Sequence, residues 1–410
     1  MISSAVIYFF LFTALYFEVF LMITYLEKRK TIKTEYTKMQ GKKWPSVDII
    51  VPCFNESKTI VATVDSLLNL EYPKDKFKIV VVDDGSTDNS LEILQIFKDN
   101  PQVLIHHKKN GGKYTALNFG IENSKADLVG CLDADSFVDK DALKTMLPYF
   151  ENQKIMAVVP SIKVYEPNNN ILQKVQRVEY SWGIFVRKIL TYLNALHVTP
   201  GPFTIFRRKM FNTIGKYKHA YHTEDLEMAL RMQKHNYKIA NSHRSVVYTV
   251  TPTTVKSLYK QRRRWTYGFL KNTIDYRSLI FKKEYGNLSF LILPFALLSV
   301  LSGIYLAINF IATNITSIVE QINKIRTVGF YFNGFNFDWF YINTSISSIV
   351  AMLSVFITII LILTSIKLAE GKLRIKPEFF YFLFIYPIIA PLWLFGAVFN
   401  TIFSKTITWR

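Results

Sequence analysis

The sequence predicts an α/β domain with a mostly parallel sheet, attached to about four transmembrane helices. Two observations predict this architecture. Four apolar runs are long enough to cross a bilayer, and between the first two of them β-branched runs alternate with helical patterns. A third observation, the formal net charge of +19, is compatible with nucleic acid, a membrane surface or a phosphorylated substrate. The positions of the basic residues decide among these three.

Each apolar run is long enough for a hydrocarbon core of about 30 Å, which needs roughly 20 residues. The runs cover residues 4–26, 288–312, 346–366 and 379–403. The first run lacks a basic n-region and a small-residue cleavage site, so we expect a retained anchor rather than a signal peptide. The basic stretch that follows it predicts that the chain between the first two spans is cytoplasmic.

These patterns divide the chain into an N-terminal transmembrane anchor, a cytoplasmic α/β region with interfacial helices, and a C-terminal membrane region with three spans. The predicted bounds are 1–28, 44–285 and 286–410. Glu18 is the one ionisable residue inside the first span. An intramembrane carboxylate is costly and suggests function, but snorkelling or pairing between helices explains it equally simply.

The α/β region contains three apolar, β-branched runs separated by helical patterns. The predicted strands are 47–52, 77–84 and 126–135, and the predicted helices are 57–69, 89–98, 113–123 and 139–151. Cys53 and Cys131 lie in or beside these strands, so neither a disulfide framework nor a zinc site is supported. Ligands of parallel sheets bind beyond the carboxyl ends of the strands, which is where the acidic residues of this region occur.

The ends of the first two strands carry candidate ligand-binding residues. Glu56 starts the helix after the first strand, where a helix dipole alone would favour it. Asp83 and Asp84 end the second strand and are suited to accept hydrogen bonds from a base or a ribose. Residues 85–89 also fit an ordinary turn with a helix cap. Lys113 follows a glycine pair at a helix start, which can hold an anion but is weak evidence alone.

The strongest single candidate is LDADS at 132–136, after the third strand. Asp133 and Asp135 can direct carboxylate oxygens at one hard divalent cation such as Mg²⁺ or Mn²⁺, whose other positions go to water and a diphosphate. A D-x-D sequence also arises by chance. Its place after a buried strand favours the metal interpretation.

A further acidic pair lies at Glu224 and Asp225, at the start of a predicted helix. A capped helix start, with Thr223 as the cap, explains Glu224 adequately. Asp225 is also a candidate general base for a hydroxyl nucleophile.

The stretch QRRRW lies in a predicted helix at 256–276. Helical spacing places Gln261, Arg264 and Trp265 on one face, where a guanidinium suits a phosphate and an indole suits a sugar ring. The remaining basic residues are expected to meet anionic headgroups: Lys256, Lys260, Arg262, Arg263 and Lys271. A nucleic-acid site would need basic and stacking residues spread along a groove, so no nucleic-acid partner is expected. A membrane-surface role for the whole cluster is the alternative.

Two further segments have open interpretations. Residues 199–208 fit a loop and strand near an acceptor entrance, where Gly201 and Pro202 would allow close sugar approach, or an ordinary turn before a strand. Residues 171–193 form an amphipathic helix, which suits either the membrane interface or packing on the α/β region.

Taken together and in order, the motifs PCFNES, VVDDGSTD, GGKYTALN, DAD, TED and QRRRW resemble the membrane-integrated family 2 glycosyltransferases with a GT-A fold. This family includes cellulose, chitin, hyaluronan and poly-N-acetylglucosamine synthases. The resemblance covers roughly residues 44–285 and extends to the flanking spans. It implies a hexosyltransferase that moves a sugar, with inversion, from a nucleotide sugar to a growing polysaccharide at the cytoplasmic membrane face.

The resemblance also implies a role for each candidate residue. The donor would be bound by Glu56, Asp83, Asp84, Lys113, Asp133 and Asp135, and the metal by Asp133 and Asp135. The catalytic set would be Asp225, Glu224, Arg264, Trp265 and Gln261. Within that set, Asp225 would be the base, Arg264 would hold the pyrophosphate, and Trp265 would support the acceptor sugar. UDP is the nucleotide that the family leads us to expect.

The sequence departs from the larger family members, because one span precedes the α/β region and three follow it. Four helices give few walls for a polymer channel, so a secretion partner or a homo-oligomer could complete one. The expected partners are a nucleotide sugar, an oligosaccharide or polysaccharide acceptor, and membrane lipid. Two alternatives are a nonprocessive transferase that adds one sugar to a lipid-linked acceptor, and an inactive sugar-binding subunit.

Overall fold

A computed structural model describes residues 2–35, 44–165, 170–329 and 345–403. Within these residues an eight-stranded sheet lies among α-helices. The strands are β1 (Val47–Cys53), β2 (Phe77–Asp83), β3 (Val103–His107), β4 (Leu128–Cys131), β5 (Ser136–Val138), β6 (Ile155–Tyr165), β7 (Thr204–Arg207) and β8 (Lys238–Val250). The helices are α1 (Ile2–Thr34), α2 (Ile60–Leu68), α3 (Ser90–Leu94), α4 (Lys113–Asn123), α5 (Ile171–Tyr192), α6 (Lys209–Ile214), α7 (Glu224–Lys234), α8 (Val255–Asp275), α9 (Leu293–Val328), α10 (Ile346–Glu370) and α11 (Pro377–Ile402).

The sheet order is β3-β2-β1-β4-β7-β6-β8-β5. The β3-β2-β1-β4 half is wholly parallel, as the alternation of strands and helices predicts. The other half is mixed, with β4–β7, β6–β7 and β5–β8 antiparallel and β6–β8 parallel. The α/β class with a GT-A-like arrangement is confirmed, and the sheet is more mixed than the sequence predicts.

The parallel half is buried on both faces. In β1, Ile49 and Val51 pack on the side of α2, whereas Ile50 packs on the side of α4. Such central strands are continuously apolar rather than alternating, which is why they are recognisable in the sequence. Both cysteines are buried and free: Cys53 ends β1 and Cys131 ends β4.

Two predicted elements differ from the structure. The predicted strand at 126–135 is too long: only β4 lies within it, and the LDAD sequence forms the loop that leads from β4 to β5. The predicted helix at 139–151 is wrong, since turns lead there into a 3₁₀ helix at Leu147–Glu151. Pro148 explains the difference, because proline cannot donate an interior helix hydrogen bond and its ring clashes with the preceding turn.

Four helices of the described chain are long and apolar enough to cross a membrane: α1, α9, α10 and α11. They contain the predicted spans, but α9 follows a π-helical turn at Leu288–Ile292 and continues to Val328, well beyond the predicted end. The basic flank of the first span lies partly at 36–43, outside the described residues, as do residues 330–344 and 404–410 of the predicted C-terminal region. Glu18 accepts hydrogen bonds from Ser354 Oγ at 2.8 Å and Thr358 Oγ1 at 2.6 Å, so pairing between α1 and α10 explains this carboxylate.

Helix α5 lies between the sheet and the apolar helices. Its Phe185 packs with Leu21 of α1 and Leu361 of α10, while the buried Lys188 donates to the Asn241 carbonyl of β8 at 2.9 Å. Packing on the α/β region is therefore confirmed as one role of this amphipathic helix. The contacts join the sheet and the apolar helices into one body.

Candidate active site

The candidate site lies at the carboxyl end of β1, where the order of the strands in the sheet reverses. Strand β1 has β2 on one side and β4 on the other, and chains leaving neighbouring strands toward opposite sides open a crevice at the carboxyl ends. The loops after β1, β2 and β4 meet there. They carry Glu56, the Asp83–Asp84 pair and the LDAD sequence respectively.

The loops after β1 and β2 are tied together by hydrogen bonds from main-chain amides to side-chain oxygens. Asn55 has a positive φ of 56°, and its Oδ1 accepts from the amides of Thr87 at 2.8 Å and Asp88 at 3.3 Å. Ser90 Oγ accepts from the Glu56 amide at 2.9 Å, which fixes where Glu56 leaves the main chain. Residues 85–89 thus form a turn that also shapes the crevice, but the expected helix cap is absent, since Asn89 at the N-cap position of α3 makes no side-chain cap hydrogen bond.

The two aspartates at the end of β2 have different surroundings. Asp84 accepts from the amides of Gly111 at 3.1 Å and Gly112 at 2.8 Å, and from Lys108 Nζ at 2.6 Å. Its carboxylate therefore holds the glycine loop before α4. Asp83 Oδ2 contacts His107 Nδ1 at 2.6 Å, whereas Asp83 Oδ1 is buried and has no hydrogen-bond partner within the described chain. A buried acceptor without a donor is costly, and a bound ligand with an N–H group would satisfy it.

Lys113, at the first position of α4, forms an ion pair with Asp133. Burial alone would lower the pKa of Lys113, but the Asp133 carboxylate, with a smaller contribution from Asp225, outweighs burial and raises it. The ammonium is therefore charged and lies between two of the predicted site carboxylates. Gly201 lies against this pair, since a Cβ there would come within 2.8 Å of Lys113 Nζ and 3.0 Å of the Asp133 carboxylate.

Asp133 and Asp135 are both half-buried. Burial, together with the charges of Asp133 and Glu56, raises the pKa of Asp135 to about 7. The described residues contain no cluster of three or more His, Cys, Asp or Glu side chains that would form a complete metal cage. Hard divalent cations accept such incomplete protein sets, because water and a diphosphate provide the other oxygens. Crowded carboxylates of like charge fit a cation that neutralises them.

The TED sequence lies at the start of α7. Thr223 occupies the N-cap position, but its side chain makes no cap hydrogen bond, so the predicted cap is wrong. Thr223 Oγ1 instead donates to the Ala220 carbonyl at 2.9 Å and accepts from Asn272 Nδ2 of α8 at 3.0 Å. The latter contact joins α7 to α8.

Glu224 of the TED sequence is buried, and Asp225 is half-buried. Burial raises the pKa of Glu224. Burial also raises the pKa of Asp225, and the positive charges of Lys113 and Arg264 partly oppose that rise. The main-chain carbonyl of Asp225 accepts from Thr199 Oγ1 at 2.7 Å. This bond joins the predicted acceptor loop to the acidic start of α7.

Arg264 of α8 reaches the same crevice. It donates from Nη1 to the His222 carbonyl at 2.9 Å. Burial lowers its pKa, and four predicted site carboxylates oppose that effect: Asp225, Glu224, Asp133 and Asp135. Gly268, one turn further along α8, allows this close approach, because a Cβ there would collide with the side chain of Thr223.

Among the remaining basic residues of α8, Arg262 differs from the prediction. Arg262 does not face headgroups: it is buried, and it donates from Nε and Nη2 to the two oxygens of Glu179 in α5, both at 2.8 Å. Helical spacing did not predict the direction of this side chain, because spacing could not reveal an acid on another helix. Arg263 packs on the Tyr259 ring and beside Gly396 of α11, whereas Lys256 and Lys260 are exposed.

The structure thus brings together most of the predicted site residues around one crevice: Glu56, Lys113, Asp133, Asp135, Glu224, Asp225 and Arg264. Asp83 and Asp84 line its β2 side, while Gln261 and Trp265 lie on the α5 side of α8 through their contacts with Arg262. Sequence reasoning missed His107, Lys108 and Glu179. None of the three stands in a recognisable motif, and their importance follows from neighbours that are distant in sequence.

Comparison with known proteins agrees with this geometry. Residues 48–215 match the profile described as glycosyl transferase family 2. A poly-beta-1,6-N-acetyl-D-glucosamine synthase from Staphylococcus epidermidis is 31% identical over 68% of this chain and 66% of its own length. A synthase with the same description from Staphylococcus aureus strain COL is 31% identical over 54% of each chain. The matched segments therefore span about half to two thirds of these relatives.

A solved structure shares the architecture of the whole chain. The mannosyltransferase from Pyrobaculum calidifontis in complex with GDP-Man and Mn²⁺ superimposes with a TM-score of 0.62, covering 99% of this chain and 100% of its own, at 17% identity. At that identity the likeness concerns the fold alone.

Proposed function

This chain belongs to glycosyl transferase family 2, and from that premise we propose that it builds a poly-N-acetylglucosamine chain from UDP-N-acetylglucosamine. The names of the synthases at 31% identity support this sugar and a β-1,6 linkage. The observation that carries the proposal is the convergence of Asp133, Asp135 and Arg264 with the half-buried Asp225. A diphosphate-binding group and a candidate base for a sugar hydroxyl thus lie at one crevice.

The proposed reaction is a single displacement at the anomeric carbon. The acceptor hydroxyl oxygen forms a bond to that carbon while the bond to the UDP oxygen breaks, and the configuration inverts. Asp225 takes the proton of the hydroxyl. Arg264 and Lys113 offset the charge that develops on the departing diphosphate, and Asp83 Oδ1 accepts a hydrogen bond from the nucleobase.

The other predicted residues complete the proposed site. Asp133 and Asp135 hold Mg²⁺ or Mn²⁺, which when bound neutralises charge on the diphosphate. Glu56 stands beside the diphosphate, Asp84 keeps the glycine loop in place for the nucleotide, and Glu224 supports Asp225. Trp265 is 38% exposed and offers its ring to the acceptor sugar, oriented by Gln261.

We propose that the reaction takes place at the cytoplasmic membrane face and is processive. The basic flank of α1 and the basic loop at 367–378 favour this orientation, since both follow spans on the side of the α/β region. The described residues contain four candidate spans, which provide few walls for a channel. The polymer would therefore cross the membrane through a secretion partner or with the help of a second copy of the chain.

The test uses the purified full chain in lipid nanodiscs with Mn²⁺ and a panel of nucleotide sugars that includes UDP-N-acetylglucosamine, UDP-glucose and GDP-mannose. Release of nucleoside diphosphate and the size of radiolabelled product are measured. We expect release from UDP-N-acetylglucosamine and a long product that a β-1,6-specific N-acetylglucosaminidase digests. A product with one added sugar on lipid would identify the nonprocessive alternative, and no release from any donor would indicate the inactive subunit.

A further inference from the structure

The middle of the QRRRW sequence contains an arginine whose contacts the proposed mechanism does not use. Arg262 is 3% exposed. Its Nε and Nη2 donate to Oε1 and Oε2 of Glu179, each at 2.8 Å. This two-point geometry fixes the plane of the guanidinium, which a lysine ammonium could not do.

The same guanidinium contacts two residues proposed for the acceptor side. Its carbon lies 4.2 Å from the ring centroid of Trp265, within the range of a cation–π contact. Its Nη1 donates to Oε1 of Gln261. One buried side chain therefore holds both the indole and the amide, while the indole keeps 38% of its surface exposed.

The Arg262–Glu179 pair also contacts a helix of the membrane region, α11. Tyr386 of α11 donates its hydroxyl to Glu179 Oε1 at 3.3 Å, and its ring packs edge-on against Trp393 at 5.7 Å. Near the start of α5, Arg177 Nη1 donates to Glu378 at the start of α11 at 2.6 Å. Helices α5, α8 and α11 thus meet at the Arg262–Glu179 pair.

We propose that Arg262, held by Glu179, is a positioning residue that fixes the Trp265 ring in the acceptor site and ties it to α11. Arg262 itself does not touch the donor: its N–H groups are directed at Glu179 and Gln261. This inference rests on the proposed function, since it needs an acceptor sugar at Trp265. Loss of the two hydrogen bonds from Arg262 to Glu179 should therefore impair use of the acceptor and leave use of the donor intact.

The test compares Arg262→Lys and Glu179→Gln with the matched control Arg263→Lys, which makes the same chemical change one residue further along α8. The full chain in nanodiscs receives UDP-N-acetylglucosamine and a β-1,6-linked N-acetylglucosamine tetramer. We expect Arg262→Lys to raise the KM for the tetramer about tenfold and to shorten the product. The KM for the donor and acceptor-free release of UDP should stay within about twofold, as in the control. Equal KM values for the tetramer in wild type and Arg262→Lys would overturn the proposal, as would a parallel rise in both KM values.

A second measurement does not depend on activity. Subtracting the fluorescence spectrum of Trp265→Phe from that of the parent isolates the emission of Trp265, in both the wild-type and the Arg262→Lys background. We expect the isolated emission to shift and to become more easily quenched by acrylamide when the guanidinium is lost. Unchanged Trp265 emission would refute the positioning role. If wild type releases no UDP from UDP-N-acetylglucosamine, the proposed donor fails while this measurement still decides the role of Arg262.

Discussion

The donor side and the acceptor side of the crevice are built in different ways. On the donor side, side-chain oxygens of one loop accept hydrogen bonds from the main-chain amides of another, as at Asn55 and Asp84. On the acceptor side, side chains of distant helices hold one another, as at Arg262–Glu179 and Asn272–Thr223. Apart from Arg264 of α8, the donor side is therefore formed by the loops of the sheet, whereas the acceptor side needs the membrane-proximal helices in place. Substitutions should separate the two sides accordingly.

The largest expected effect breaks the donor side by removing its cation. Excess chelator should abolish UDP release, because the carboxylates of Asp133 and Asp135 have the same sign of charge as the diphosphate and would repel it without a bound cation. Adding back Mn²⁺ or Mg²⁺ should restore release in wild type but not in Asp135→Asn. Full turnover in excess chelator would remove both aspartates from their proposed role.

The next largest effect should fall on the acceptor side alone. Asp225→Asn keeps the shape of the side chain but removes its basicity, and we expect transfer to fall about 10²- to 10⁴-fold. Binding of UDP, measured by calorimetry, should change little, because Asp225 lies beyond the proposed diphosphate position. Asp83→Asn serves as the matched donor-side change and should weaken UDP binding. Wild-type transfer in Asp225→Asn would refute the assigned base.

A packing substitution tests how α7 and α8 hold the acceptor side. In Gly268→Ala the new Cβ would come within 2.8 Å of the Thr223 Cβ and closer still to the rest of that side chain. Overpacking of this kind costs about 1–3 kcal/mol, and we expect a lower Tm together with reduced transfer. Adding Thr223→Ser removes the Thr223 methyl group from this collision and should restore part of the Tm and part of the transfer activity. A Tm equal to that of wild type in Gly268→Ala would show that the two helices move apart freely.

The smallest expected effect concerns a single donor-side loop. Asn55→Ala removes the acceptor for the Thr87 and Asp88 amides and also places alanine at a positive φ, which costs about 1–2 kcal/mol. Asn55→Gly removes the same hydrogen bonds but tolerates that φ. We expect the donor KM to rise about fivefold in the alanine variant and less in the glycine variant, with product length unchanged in both. A change in product length would show that the two sides are not separable.

The same contrast explains what the sequence could predict. Asp83, Asp133 and Asp135 were identifiable because buried parallel strands form recognisable apolar runs and the crevice always lies at their carboxyl ends. The division of labour within the Asp83–Asp84 pair was not identifiable, because it depends on the glycine loop that returns after β3. The turns around Pro148 were not identifiable either. The apolar residues there have helical spacing, although the proline disrupts an α-helix.

On the acceptor side, periodicity predicted helix α8, but not which residue each of its side chains contacts. Arg262 looked like one more membrane-facing cation, since Glu179 precedes it by 83 residues and belongs to a different helix. Helical spacing indicates which residues share a face of a helix. Whether a charged residue on that face is buried depends on a partner residue from another helix. The same limit applied to Thr223, whose partner Asn272 lies on α8.

The most direct test of the account is a cryo-electron microscopy map of the full chain in nanodiscs with Mn²⁺ and UDP-N-acetylglucosamine. The account predicts density for the diphosphate between Asp135 and Arg264, the nucleobase beside Asp83, and the sugar directed toward Asp225 and the exposed edge of Trp265. Nucleotide density in another cavity, or a sugar remote from Asp225, would contradict it.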